Sequence, residues 1–257
     1  MDGVWDRIDV TVIIPCFNSG VLLLDSVNSV INQTFANWRL FVIDDCSTDP
    51  QTKEVLRQLP MMDERIEVLS TISNSGAGVA RNVGLEHVES QYVAFCDADD
   101  WWYPEKLEKQ IRYMFDKGYR FVCSYYDDCD ADLNVESVVR QKGRQRFSDL
   151  ISGCNIGSPG VVYDRTGVED IRFPSARRGE DWRMWLRLLT RIDYLYSYPE
   201  PLWKYRHTLG STNSKKKEIV PAVIRLYKEE LHFSTVRSYL TFAFVFLPRY
   251  VWRKLIK

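Results

Sequence analysis

Tyr92-Val93-Ala94-Phe95-Cys96-Asp97-Ala98-Asp99-Asp100 (YVAFCDADD) joins an unbroken apolar run to three carboxylates within four residues. The run reads as a strand buried on both faces. In an extended strand, Asp97 and Asp99 point to one side about 6–7 Å apart, so both reach a single site. Unpaired anions that close repel each other, and a hard-oxygen cluster of this kind is relieved by a divalent cation, Mn²⁺ or Mg²⁺. The competing reading is a solvated acidic loop ahead of the next helix. The neighbouring sequence separates the two.

Upstream, Val10-Thr11-Val12-Ile13-Ile14 is a β-branched run stopped by Pro15, as in a buried strand. Periodic apolar positions predict a helix over 21–31. Leu40–Ile43 is a second strand that ends in Asp44-Asp45, and Ser47, Thr48 and Asp49 before Pro50 signal a helix start. A strand over 66–69, a helix over 76–86 and the strand over 92–96 follow, then a helix over 104–117 and a strand over 119–124. Alternating elements with continuous apolar strands predict an α/β fold, a mostly parallel Rossmann-like sheet with helices on both faces. Such sheets bind ligands at the C-terminal ends of their strands. Pro15-Cys16-Phe17-Asn18, Asp44-Asp45 and Asp97-Ala98-Asp99 all fall there. Three polar clusters on one edge form the pattern of a nucleotide site.

Beyond residue 130 the pattern loosens. Gly153–Gly160 (GCNIGSPG) reads as a polar, flexible stretch, and Arg177-Arg178-Gly179-Glu180-Asp181-Trp182 leads into an amphipathic helix through Leu189. The expected organisation is one domain over 1–205, with a nucleotide half at 1–124 and a second half-site at 125–205. A basic helical tail occupies 206–257.

An apolar fraction of 45% and a charged fraction of 27% are those of a folded protein with a full core. Net charge is −1, but it is unevenly spread. From Leu202 onward twelve Lys and Arg face three Glu, so the first 201 residues carry ten excess acids. This polarity suits a front half that handles metal and ligand and a tail that meets an anionic surface. A nucleic-acid partner is not expected. Tyr239–Leu247 is nearly apolar but too short to span a bilayer. Pro248 ends it, and Arg249, Arg253, Lys254 and Lys257 follow, with Tyr250 and Trp252 among them. Aromatics beside cations suit the headgroup region of an anionic membrane; the alternative is a terminal helix packed on the domain. Met1–Asp9 is mixed and charged, and the six cysteines form no CxxC pair. Reduced thiols and a cytoplasmic protein, peripheral to the inner face of the cell membrane, are the expectation.

VTVIIPCFN at 10–18, QTF at 33–35, VIDDCSTD at 42–49, GVARNVGL at 78–85, FCDADDWW at 95–102 and GEDW at 179–182 occur in this order. Together they resemble family 2 inverting glycosyltransferases with the GT-A fold, over about Val10–His207. The resemblance implies transfer of a sugar from a nucleotide sugar to a hydroxyl, with inversion and no covalent intermediate. It implies Asp99 as main metal ligand, with Asp97 at the metal or the ribose and Ala98 between them. Asp45 matches the position that hydrogen-bonds uracil. Pro15, Phe17 and Asn18 fall beside the base, with core packing the competing role for Phe17. Arg81 meets the donor or pairs with a strand-end Asp. Asp100 assists the metal or caps the following helix. Asp181 matches the general base, with Glu180 orienting the acceptor. Trp182, Trp101 and Trp102 are candidate walls for sugar rings, against core packing. Tyr205-Arg206-His207 with Ser211-Thr212 resembles a segment closing over the diphosphate, although the family more often has one residue between Arg and His. His87 and His232 read as helical, without a metal role.

Bacterial members of this length extend O-antigen or capsule repeat units on a polyprenyl diphosphate. The implied partners are therefore a UDP-sugar, UDP-glucose or UDP-galactose, and a polyprenyl-diphosphate-linked saccharide at an anionic membrane. Two other readings were weighed. A haloacid-dehalogenase-type phosphohydrolase also has DxD after a strand, but wants Thr or Val where Trp101 stands. A catalytically silent nucleotide-sugar-binding subunit would show a missing base or a broken DxD, and both are intact.

Overall fold

The computed structural model describes residues 8–176, 178–208 and 219–255 of the chain. Its first half alternates strictly: β1 (Val10–Cys16), α1 (Leu22–Ile31), β2 (Trp38–Asp44), α2 (Pro50–Met62), β3 (Ile66–Ser70), α3 (Ala77–Glu86) and β4 (Tyr92–Phe95). The four strands pair in parallel in the order β3-β2-β1-β4. Their continuous apolar runs are explained by burial on both sides. Successive residues point to opposite faces of a sheet, so Ile13, Phe41 and Phe95 enter one core with Ala80 of α3. Val12, Leu40 and Ala94 enter the other with Val27 of α1 and Leu56 of α2. Each fully buried side chain of this size contributes about 1.5–3 kcal/mol, which makes one-residue register slips prohibitive.

Beyond β4 the sheet becomes mixed. The elements are β5 (Trp101–Trp102), α4 (Lys106–Lys117), β6 (Phe121–Cys129), β7 (Val135–Val139), β8 (Arg144–Gln145), α5 (Phe147–Ile151), a 3₁₀ turn (Ser158–Gly160), β9 (Val162–Asp164), α6 (Glu180–Leu188) and β10 (Leu195–Arg206). The short strand β9 inserts antiparallel between β4 and β6, its Val162 opposite both Ala94 and Val122. β10 runs parallel to β6 and antiparallel to β5 and β8. The sheet is thus parallel over β1–β4, in keeping with the mostly parallel sheet expected, and mixed beyond β4.

One local expectation is overturned. β4 stops at Phe95, and the Asp100 N–H bonds back to the Asp97 carbonyl at 3.2 Å. Asp97, Ala98 and Asp99 therefore occupy a turn, and it is this turn, rather than strand alternation, that gathers the carboxylates.

After β10 come α7 (Ile219–Glu229), α8 (Thr235–Thr241), a π-helical turn (Phe242–Phe246) and α9 (Leu247–Leu255). These helices share the core of α6: Val223, Leu226, Tyr227 and Phe246 pack in one cluster with Trp185. Phe246 stacks on Trp182 at 5.9 Å, and Phe242 and Tyr250 stack on Phe246 in turn. Among the described residues no helix is long and apolar enough to cross a membrane. None of the six cysteines, all described, is joined in a disulfide. His87 closes α3 with its ring edge-on to Phe41, and His232 lies in a left-handed bend outside the helices.

Candidate active site

Helix α3 carries Gly78, Arg81 and Asn82 on one face, three and four residues apart. That face lies against the segment before α6, and the approach is tight. A Cβ on Gly78 would stand 3.1 Å from the Pro174 carbonyl oxygen and 3.3 Å from Glu180 Cβ. Asn82 locks the contact by accepting from the Phe173 N–H at 2.8 Å and donating to the Phe173 carbonyl at 2.9 Å. α6 is thereby fixed with its N-terminus beside the turn after β4. Gly179, at φ 68°, reverses the chain into that helix in a conformation that favours glycine.

Arg81 sits between these two parts, with only 3% of its side chain exposed. One nitrogen donates to Asp97 Oδ1 at 2.6 Å, the other to Asp181 Oδ1 at 3.2 Å, and Glu180 lies 3.8 Å away. A single buried guanidinium thus ties the DADD turn to the start of α6. Burial works against its charge, but the three carboxylates outweigh that and hold the proton more tightly than usual. Of the two roles weighed for Arg81, pairing with the Asp after β4 is the one the contacts display.

The carboxylates differ sharply in their partners. Burial and then Asp97 push the Asp99 carboxyl up to about 6, and among the described residues it accepts from the Thr208 hydroxyl at 3.3 Å. Glu180 is pushed up to about 7 by burial and by Asp181, with Arg81 opposing. Burial also raises Asp181, against Arg81. Asp181 Oδ2 accepts from the Ser158 N–H at 3.4 Å. Asp100 is buried and raised well above the ordinary range by burial, Asp99 and Asp97. It accepts from the Arg206 N–H at 3.1 Å and so joins the DADD turn to β10. The expected capping of α4 does not occur: Glu105 precedes that helix, with no side-chain cap.

A cleft of about 460 Å³ opens over Asp97, Asp99, Asp100 and Asp181. Its walls are Trp182, Tyr126, Trp203, Tyr205 and the loop from Cys154 to Pro159. That loop was expected to be flexible, yet its glycines serve close packing. A Cβ on Gly157 would lie 2.9 Å from the Trp203 ring, and one on Gly160 2.7 Å from its indole nitrogen. Trp182 is anchored by donating to the Leu150 carbonyl at 2.8 Å. Trp102, a candidate sugar wall, is instead fully buried in the core beneath the Lys106 ammonium at 4.0 Å. Trp101 is half-buried and meets Tyr103 edge-on.

The loops after β1 and β2 form a second, more tightly bonded assembly. Asp45 is 3% exposed, and its carboxylate accepts from the Ser75 and Gly76 N–H groups and the Thr71 hydroxyl. Asp44 accepts from the Ser47 N–H. Asn18 accepts from the Thr48 and Asp49 N–H groups. Pro15 is buried within β1, whereas Phe17 is 46% exposed, which removes core packing as its role. Arg206 is buried, and its guanidinium pairs with Asp25 of α1 at 2.8 Å instead of entering the cleft. His207 pairs with Asp128 at 2.8 Å. Ser211 and Thr212 lie outside the described residues.

Sequence reasoning missed Tyr126, Ser158, Trp203 and Thr208 as parts of the site, and gave Tyr205 only as a member of the 205–207 segment. Tyr126 and Tyr205 stand on β6 and β10, whose pairing is invisible before folding. The density of aromatics at 203–205 was the available signal.

The described residues contain no cluster of three or more His, Cys, Asp or Glu that forms a cation cage by itself. Asp99 nevertheless suits a hard divalent ion. It is a carboxylate raised by burial and by a neighbouring anion and facing the cleft, so a cation there relieves unfavourable charge.

Residues 11–168 match the model for "Glycosyl transferase family 2". The chain is 35% identical over 227 residues to TuaG of Bacillus subtilis (strain 168), a glycosyltransferase assigned to teichuronic acid biosynthesis. That match covers 87% of this chain and 90% of TuaG. It is 34% identical over 180 residues to WfgD of Escherichia coli, a UDP-Glc:alpha-D-GlcNAc-diphosphoundecaprenol beta-1,3-glucosyltransferase, covering 70% and 69% of the two chains. Among solved structures, Staphylococcus aureus TarS 1-349 in complex with UDP-GlcNAc superposes with a TM-score of 0.70 at 19% identity, over 92% of this chain and 73% of that one. This is the GT-A-type fold. With its family model matched over more than half its length and relatives above 30% identity, the chain belongs to glycosyl transferase family 2, and it is a glycosyltransferase.

Proposed function

We propose that the chain moves a hexose, glucose or galactose, from a UDP-sugar to a hydroxyl of a polyprenyl-diphosphate-linked saccharide, with inversion, in the biosynthesis of O-antigen or another bacterial surface polysaccharide. One observation carries this reading. Arg81 holds Asp97, on the donor side, and Asp181, on the acceptor side, within hydrogen-bond reach of a single guanidinium. Donor and base are thereby set to face one another across the cleft.

In this mechanism Phe17 offers its exposed ring to the uracil, and Asp45 organises the 71–76 loop beneath it. Asp99, with Asp97 beside it, would hold Mn²⁺ or Mg²⁺, which when bound neutralises charge on the departing diphosphate. The acceptor hydroxyl approaches the anomeric carbon from the side opposite the leaving group, between Asp181 and the aromatic walls. As the new C–O bond forms and the bond to the diphosphate breaks, Asp181 takes the hydroxyl proton. Its raised affinity for protons brings it nearer the pH at which a base works best. Glu180 shares the Arg81 charge and orients the acceptor. The basic tail places the protein at the anionic inner face of the membrane, where a lipid-linked acceptor resides.

The test is a donor screen: purified protein with Mn²⁺, a panel of UDP-, GDP- and dTDP-sugars, and release of nucleoside diphosphate as the readout. Mn²⁺-dependent release from one UDP-sugar, accelerated by a lipid-diphosphate saccharide, is the expected result. UDP binding without release from any donor, acceptor present, would favour the silent-subunit reading.

A further inference from the structure

Outside the cleft the chain holds another patterned stretch, Arg140-Gln141-Lys142-Gly143-Arg144-Gln145-Arg146. Residues two apart share a face in extended backbone. Gln141 and Gln145 are buried, while Arg140, Lys142, Arg144 and Arg146 are all exposed. β10 fixes that alternation: Gln145 and Arg144 pair with Leu195 and Tyr196, and Ser197 bonds to the Gly143 and Lys142 carbonyls. β8 itself is only Arg144–Gln145, but Lys142, Arg144 and Arg146 line one groove at this edge of the sheet, and Arg140, also exposed, extends the row in sequence. Asp149, 2.7 Å from Lys142, is the one carboxylate ion-paired with the row among the described residues. Arg144 lies over the Tyr194 ring at 4.5 Å. With Lys142, Arg146, Asp149 and Tyr194 it lines a groove of about 460 Å³.

The row adjoins the tail through α5. Arg249 of α9 donates to the Asp149 carbonyl at 3.4 Å and to the Ser152 hydroxyl. The tail's inner face is occupied by the Phe242, Phe246 and Tyr250 stack on Trp182. Its outer face is apolar too: Val236, Leu240, Phe244, Leu247 and Val251 recur at helical spacing and are all exposed, with Trp252 beside them. A stripe of that length facing solvent is unusual for a soluble helix.

Resting on the lipid-linked acceptor reading above, we propose that the 140–146 cation row and the outer stripe of the tail form one surface that seats on an anionic phospholipid bilayer. The row takes phosphodiester headgroups and the stripe enters the acyl boundary. Charge complementarity selects this occupant. Four cations with a single paired acid repel a second copy of the same patch, whereas an anionic bilayer satisfies the row and the apolar stripe together.

The experiment uses the full chain and sedimentation with phosphatidylcholine vesicles, with and without phosphatidylglycerol. Removing three surface cations, as in the Arg140→Gln/Arg144→Gln/Arg146→Gln variant, is expected to lower partitioning onto the anionic vesicles about 100-fold. All three positions are exposed, so its thermal midpoint and UDP affinity should match wild type. Phe244→Ser with Trp252→Ser should weaken binding to both kinds of vesicle. Equal partitioning of the cation-row variant and wild type would overturn the proposal. So would release of the wild type from vesicles by inorganic diphosphate at an ionic strength where sodium chloride leaves it bound, which would mark a free-phosphate site. Lost turnover on a water-soluble short-chain acceptor would instead place the row in the acceptor site. Vesicle binding as expected alongside a failed donor screen would remove the proposed reaction and leave the surface standing.

Discussion

Asp45 and Asp99 are both aspartates just beyond the ends of parallel strands, yet the regions around them treat a carboxylate in opposite ways. In the cradle formed by 44–49 and 71–76, every acid is matched to donors, and Asp45 alone accepts from two backbone N–H groups and a hydroxyl. In the cleft, Asp97 and Asp181 share one guanidinium with Glu180, and among the described residues Asp99 accepts a long side-chain hydrogen bond from Thr208. The first arrangement fixes loop shape. The second leaves buried charge incompletely compensated, so burial first and neighbouring carboxylates second raise the carboxyls of Asp99, Glu180 and Asp181. Side-chain type does not separate scaffold from chemistry here; the number of donors does.

Four measurements test that contrast. Asp99→Asn should lower turnover about 10⁴-fold, because the leaving group loses stabilisation worth several kcal/mol. Its thermal midpoint should not fall, since an unsatisfied anion has been removed; a clear loss of stability would erase the distinction between the regions. Asp181→Asn should lower kcat about 10³-fold while leaving UDP affinity nearly unchanged, since it removes a proton acceptor and no donor contact. Near-normal turnover by that variant would shift the base to Glu180. Asp45→Asn should behave in the reverse manner, costing about 1–3 kcal/mol of stability in a denaturant titration, because one buried N–H loses its acceptor. The smallest effect belongs to Glu180→Gln. Burial and then Asp181 push Glu180 up to about 7, and burial raises Asp181 as well, so turnover should climb with pH as the pair gives up its protons. Removing the Glu180 charge makes Asp181 easier to ionise, which should move the acidic limb of the kcat profile to lower pH. An unmoved limb would mean that the pair does not control the base.

The alternating elements through β4 were largely legible from the chain. Residues 10–14, 40–43 and 92–95 are buried on both faces because helices cover both sides, and that leaves a continuous signal, whereas 66–69, on the sheet edge, keeps Glu67 exposed. The second half was not, for specific reasons. β9 is three residues long, and its place between β4 and β6 depends on partners more than thirty residues away. Asp97 and Asp99 converge through a turn whose hydrogen bond, from Asp100 to Asp97, has no sequence signature. Gly157 and Gly160 looked like flexibility, but what they record is how closely the chain passes Trp203. Lys106 reads as a surface charge on an amphipathic helix. In fact it is fully buried, its amine donating to Gln110 at 2.7 Å and pushed down to about 7 by desolvation. Phe246 gave no sign that it would stack on Trp182, since only the folded α6 creates that surface.

The burial of Arg81 has a consequence for ionic strength. Mobile ions screen exposed charges over about 8 Å at physiological salt and about 3 Å at 1 M, but buried pairs far less. Contacts that bring the molecule to its substrate would therefore fade as salt rises, while the guanidinium that aligns Asp97 with Asp181, 97% shielded from solvent, would persist. Location and chemistry in this protein would then answer to salt separately: a brine-washed enzyme would lose its address and keep its aim.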